Sequence, residues 1–216
     1  MLRLASSRTV RTVSGLVLAA WLSFSAPFGH ALPSSPSDLS AAGRPSLRIF
    51  TDRDGLPQNA ILSTAFDSIG YLWVGTKDGV ARYNGRTWTI IDLTPIAGSN
   101  YIQAICTGSD GSMWFGTNGG GLARLHEGNW STVSMRDGLP SNDVTSLAEA
   151  VSADGSAVLW IGTSAGISFV GADGVVRSSL VEQSGRRITG LYAANLRGEV
   201  WAMIEGVGAA RFKSGV

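Results

Sequence analysis

The chain has 216 residues, 44% of them hydrophobic and only 15% charged, with 17 basic against 16 acidic side chains. That balance supplies no phosphate-neutralising field and argues against nucleic acid as a partner, while an apolar chain of this length can bury a real core. One cysteine, Cys106, and two histidines, His30 and His126, leave no disulfide framework and no CxxC or histidine-based metal site, so neither metal nor cofactor is expected.

Residues 1–31 read as a signal peptide. Arg3, Arg8 and Arg11 precede an uncharged apolar stretch from Val13 to Phe28, and Gly29-His30-Ala31 supplies a small-residue exit. The alternative is an uncleaved anchor, since the stretch nears the ~18 residues that span a bilayer. Ser14, Gly15, Ser23, Ser25 and Pro27 weaken such a helix. The expected location is the periplasm, with inner-membrane anchoring as the alternative and membrane contact only through this segment if it stays uncleaved. Residues 32–46, with Pro33, Ser34, Ser35, Pro36 and Ser37, read as a flexible linker.

From residue 47 onward the chain repeats. Leu72-Trp73-Val74-Gly75-Thr76 recurs as Met113-Trp114-Phe115-Gly116-Thr117 and Leu159-Trp160-Ile161-Gly162-Thr163, with a worn copy at Val200-Trp201-Ala202-Met203-Ile204. The four tryptophans are 41, 46 and 41 residues apart, a period close to the ~40–45 residues of a four-stranded propeller blade. Asp54-Gly55-Leu56-Pro57-Gln58-Asn59 returns as Asp137-Gly138-Leu139-Pro140-Ser141-Asn142, two blades later.

Punctuation divides one unit into four strands: Ala60 to Phe66, Tyr71 to Thr76, Val80 to Tyr83 and Thr87 to Asp92, with Asn84-Gly85 as a hairpin signal. The 28 glycines of the chain fall largely at such turns. The expected fold is all-β, a propeller of four-stranded antiparallel blades over residues 47–216, with about four blades marked by Trp73, Trp114, Trp160 and Trp201. Leu47 to Thr51 falls where a lone fourth strand belongs. An incomplete arc of a larger ring is the favoured form, and a ring of four blades closed by that N-terminal strand is the alternative. The open edges of an arc favour self-association.

Phe50-Thr51-x-x-Asp54-Gly55-Leu56-Pro57-x-Asn59, followed by Asp67-x-x-Gly70-x-Leu72-Trp73-Val74-Gly75-Thr76-x-x-Gly79-Val80-x-Arg82-Tyr83, resembles the two-component regulator propeller repeat. The resemblance covers residues 47–212 and fades in the fourth unit. It implies the periplasmic sensory part of a membrane histidine kinase, often a hybrid one, or of a diguanylate cyclase. No second apolar span and no histidine on a helical dimerisation motif follow in these residues. The implied function is therefore an exported ligand-sensing input module, with an extracellular ligand, often a glycan, as partner.

The chemistry of the residues agrees with a binding role rather than an enzyme. His126 reads as a solvated turn residue, Cys106 as an inert buried thiol, and Ser109-Asp110-Gly111-Ser112-Met113-Trp114 as a structural hairpin turn. What remains is a rim. If strands alternate up and down, the Asp-Gly-Leu-Pro loops and the turns after each Gly-Thr gather on one side, bringing Gln58, Asn59, Lys77, Asp78, Asn118, Ser141, Asn142 and Ser164 together as candidate ligand-binding residues. Asp54, Asn59, Asp137 and Asn142 have a competing structural role, since Asx side chains bond turn backbone. The other functional readings are a propeller-fold lyase or hydrolase acting on polysaccharide or lactone, and a protein-interaction scaffold.

Overall fold

The computed structural model describes residues 47–151, 155–171, 173–178, 185–194 and 198–213. The expected signal peptide (1–31) and linker (32–46) lie outside the described residues, among which no helix is long and apolar enough to cross a membrane. The first sheet orders β1 (Ser63–Phe66), β2 (Leu72–Thr76), β3 (Gly79–Tyr83) and β4 (Trp88–Ile91) as consecutive antiparallel neighbours. The second does the same with β5 (Ile102–Thr107), β6 (Met113–Thr117), β7 (Leu122–His126) and β8 (Asn129–Val133). The third holds β9 (Val144–Val151), β10 (Ala157–Thr163), β11 (Gly166–Val170) and β12 (Val176–Ser178). The fourth has three strands, β13 (Ile188–Ala194), β14 (Glu199–Ile204) and β15 (Gly208–Lys213).

The first strand of each sheet packs on the first strand of the next, β1 on β5, β5 on β9 and β9 on β13, which makes them the inner edges of successive blades. Among the described residues no comparable packing returns from β13 to β1, so the blades form an open arc. The strand expected from Leu47 to Thr51 is not formed. Phe50 instead lays its ring on the first blade, 5.0 Å from Tyr83 and 5.5 Å from Trp88. Burying that ring on an aromatic pair replaces the ladder that a lone strand would need a neighbour to form.

The pleat explains the repeat. In β2, Trp73 and Gly75 point to one side of the blade and Leu72 and Val74 to the other. Trp73 meets the second blade at Ile105, Met113 and Phe115, and its ring lies 5.3 Å from that of Phe115. Trp114 likewise faces Leu159, Ile161 and Val170, and Trp160 faces Leu191, Val200 and Ala202. The core is thus a series of joints between blades, each centred on one tryptophan. Burying such a side chain contributes about 1.5–3 kcal/mol or more.

The strand glycines serve the same joints. A Cβ on Gly75 would lie 2.7 Å from Ile102, on Gly116 2.6 Å from Val144, and on Gly162 2.7 Å from Ile188. Each glycine therefore admits the β-branched residue that opens the next inner strand. This differs from the turn role expected for most glycines of the chain. The threonine after it is buried and donates to a turn carbonyl: Thr76 to Gly79 at 2.9 Å, Thr117 to Gly121 at 2.8 Å, Thr163 to Gly166 at 2.8 Å. The turn between second and third strands is thereby fixed from below.

Candidate functional site at the rim

Those fixed turns carry half of the rim. Lys77 and Asp78 are exposed on the first, and the Asp78 amide donates to Thr76 Oγ1 at 3.1 Å. Asn118 is exposed on the second, with its amide donating to the Tyr101 carbonyl at 2.8 Å and its own carbonyl accepting Ser99 Oγ at 2.6 Å. Lys77 Nζ lies 5.5 Å from the centre of the Tyr101 ring, a cation–π contact joining the first two blades. Ser164, on the third turn, donates to Ser141 Oγ at 2.8 Å, with Asp143 Oδ2 at 3.4 Å.

The loops that enter each blade supply the rest. A 3-10 turn at Asp52–Asp54 is closed by Asp54, whose carboxylate accepts the Thr51 amide at 2.8 Å and hydroxyl at 3.0 Å. Those two bonds hold the Asp54 carboxyl below its ordinary range. A second such turn at Met135–Asp137 repeats the arrangement with Ser134 and Asp137. Asn59 Oδ1 accepts the Asp52 amide at 2.7 Å, and Asn142 Oδ1 accepts that of Met135 at 2.8 Å. Both asparagine side chains therefore hold turn backbone. Gln58 is half-buried, with an Oε1 that has no hydrogen-bond partner.

The structure thus groups Lys77 and Asn118 around Tyr101, and Ser141 with Ser164 around Asp143. It leaves Lys77, Asp78 and Asn118 as the outward-facing groups of the rim. Sequence reading missed the loop into the second blade, where α1 (Thr94–Ala97) replaces the Asp-Gly-Leu-Pro turn. Asn100 Oδ1 there accepts the Leu93 amide at 2.7 Å, the counterpart of Asn59 and Asn142 at the same seven-residue spacing. It also missed the bulges. Gln103, Thr145 and Thr189 are the extra residues where the inner ladders slip, and such residues are turned out of the regular pleat. A cleft of about 280 Å³ opens beside the rim between Ile96, Ala97, Gly119, Gly120, Arg136 and Asn142, adding Arg136 to the accessible donors.

A second cleft, of about 310 Å³, lies between the second and third blades and is lined by Asp110, Trp114, Arg124, Ser131 and Glu149 among others. Its polar groups are tied to the blades. Arg124 donates to Asp110 at 2.5 Å and to Ser112 Oγ at 2.9 Å, and stacks 4.9 Å from the Trp114 ring. Burial raises the Asp110 carboxyl, but hydrogen bonds from Ser112 and Arg124 outweigh it and hold it below the ordinary range. Glu149 accepts the Ser109 amide at 2.7 Å, clamping one blade to the next. His126 is not the solvated turn residue expected. It ends β7 half-buried, with Nδ1 3.0 Å from the buried Ser112 hydroxyl. Cys106 is largely enclosed, and desolvation pushes its thiol up to about 11.

Residues 55–78 and 97–119 match the family described as two component regulator propeller. A histidine kinase, P4, of Formosa agariphila is 44% identical over 46 residues, which is 21% of this chain and 3% of that protein. The extracellular domain of BT3049 of B. thetaiotaomicron, described as a hybrid two component system, superposes with a TM-score of 0.66 at 20% identity, covering 78% of this chain and 24% of that one. The extracellular domain of BT4673 from the same organism gives 0.60 at 22% identity, covering 76% of this chain and 22% of that one. At such identities the likeness is one of fold, and this chain spans less than a quarter of the length of these relatives.

Proposed function

We propose, from the match of residues 55–78 and 97–119 to the two component regulator propeller family, that this chain is the ligand-sensing input of a signal-transduction system. In this reading it is exported and reads an extracellular small ligand, of the glycan class, at its rim. The observation that carries the reading is the set of outward groups on rigid turns, Lys77, Asp78, Asn118 and Arg136. Ammonium, carboxylate, amide and guanidinium groups together suit a polyhydroxylated ligand, which offers both donors and acceptors. The turns are held by Thr76, Thr117 and Thr163 from below and by Asn59, Asn100 and Asn142 from the side. Groups ordered before binding cost little to immobilise, so affinity is not spent on ordering loops. The extracellular placement of the structurally similar B. thetaiotaomicron domains supports export.

The test is calorimetric titration of the purified protein with a panel of extracellular oligosaccharides. The expected result is saturable binding to one class, weakened tenfold or more by Lys77→Ala combined with Asp78→Ala, with the fold unchanged by circular dichroism. Binding that ignores those substitutions, or no binding across the panel, would count against the reading.

A further inference from the structure

At two of the three joints between described blades the incoming blade adds an aromatic ring to the joint tryptophan, and at the middle one it adds none. At the first joint Trp73 meets Phe115 and Trp130 of the second blade, whose rings lie 5.6 Å apart. At the third, Phe212 of the fourth blade lies 5.5 Å from Trp160. At the second, the third blade brings only aliphatic side chains to Trp114, with Leu159, Val170 and Val176 among them. Strand pairing shows which residue makes the difference. In the second blade Met113 pairs with Leu125 and Leu125 with Trp130, while in the third Leu159 pairs with Val170 and Val170 with Val176. Val176 therefore stands where the second blade has Trp130. The first blade also has a tryptophan there, Trp88, paired with Tyr83. With valine in the place of an indole, the cleft of about 310 Å³ opens beside Trp114 and Ser131. A Cβ on the exposed Gly174 would meet nothing within 4 Å, so that end of the cleft is open.

The other end of the cleft is charged. Glu149 pairs with Leu159 and so shares a face with Val170. Its Oε1 accepts the Ser109 amide at 2.7 Å, which leaves Oε2 to accept from a ligand. Asp110 and Arg124 neutralise each other, so the lining keeps the single negative charge of Glu149. Glu149 and Val170 are two strand spacings apart, about 10 Å, the reach of an aromatic ring with a short amino-bearing arm. We propose that this cleft binds an aromatic amine. The ring lies over Leu159 and Val170, in the space that Trp130 fills at the first joint, and the ammonium group pairs with Glu149. The chain itself identifies the ring, because both neighbouring joints bury an aromatic side chain against their tryptophan, and aromatic pairs gain more than their buried area alone. The half-buried carboxylate supplies the charge complement, less screened than on open surface. This is a second site, between blades and at the end opposite the rim turns, and it goes beyond the glycan reading.

Calorimetric titration of the purified protein with tryptamine, indole and indole-3-acetate tests the proposal. The three probes share a ring and differ in charge. The expected result is saturable binding of tryptamine, with indole at least about tenfold weaker and indole-3-acetate weakest. Glu149→Gln keeps an acceptor for the Ser109 amide and brings tryptamine down to the affinity of indole. Val176→Trp refills the space as Trp130 does and abolishes binding of both, with circular dichroism confirming that each variant is folded. In the unaltered protein, amide NMR shifts on adding tryptamine fall on Ser131, Val170 and Gly174. No binding of tryptamine, tighter binding of indole-3-acetate, indifference to Glu149→Gln or to a folded Val176→Trp, or shifts confined to the rim turns overturns the proposal. If Val176→Trp does not fold, the shift map and Glu149→Gln decide.

Discussion

Replacing Gly116 by alanine separates the joint model from ordinary strand chemistry by the sign of its effect. The added Cβ would lie 2.6 Å from Val144 Cγ1, 3.1 Å from its Cβ and 3.3 Å from its carbonyl oxygen. Carbon atoms rest about 3.5–4.0 Å apart, so the valine has to retreat by about an ångström. It has little room: Val144 is 0% exposed, packs in one cluster with Leu122, Leu139 and Leu159, and its main chain pairs with Thr163. Overpacking of this kind costs about 1–3 kcal/mol. Gly116 is not in the left-handed region, so without the neighbour alanine would stabilise by about 0.4–1 kcal/mol through the unfolded chain. The net expectation is a loss of about 1–2 kcal/mol. At about 2–4 °C per kcal/mol for a unit of this size, Tm falls by about 2–8 °C. Urea denaturation measures the loss, and adding Val144→Ala to the alanine variant should recover about 1 kcal/mol relative to the sum of the single changes. An unchanged or raised Tm, or strictly additive single and double changes, would refute the reasoning.

Three further outcomes follow from the same contacts. Asn142→Ala removes the acceptor for the Met135 amide and should cost about 1 kcal/mol in urea denaturation, with Asn142→Asp retaining most of the stability. Cys106, its thiol pushed up to about 11 by burial, should react with maleimide at pH 8 far more slowly than in the unfolded chain. Because its folded value lies above the ordinary 9.0, the associated stability is present below about pH 9 and is lost as pH rises toward 11. Asp173, whose carboxyl is held at about 2 first by its hydrogen bond from Arg177, should titrate near 2 by NMR and move up toward 3.8 in Arg177→Ala.

The blades were legible because their signal is periodic and local. A tryptophan between apolar residues, a glycine two positions on and a turn glycine beyond specify a strand pair before any tertiary contact is known. What escaped depended on neighbours in space. Leu47 to Thr51 carries a strand-like pattern, but a strand needs a ladder, and Phe50 gains more by stacking on Tyr83 and Trp88. The loop into the second blade lost the Asp-Gly-Leu-Pro letters while Asn100 kept the function they serve, so the repeat survived there as geometry only. Bulges at Gln103, Thr145 and Thr189 arise from pairing register, which a single strand does not encode. Among the rim residues, spacing correctly brought Ser141 to Ser164. The backbone-bonding role that Asx chemistry offered Asn59 and Asn142 is the one they hold, while Lys77, Asp78 and Asn118 face outward.

The central claim, that the rim is the sensing surface, is tested most directly by hydrogen exchange with a bound oligosaccharide from the calorimetric panel. The account predicts new protection in the turns at 77–78, 118–121 and 164–165, with the blade faces unchanged. Protection confined to the opposite cleft at Ser109, Asp110 and Gly171, or no change at the rim when binding is saturated, would contradict it.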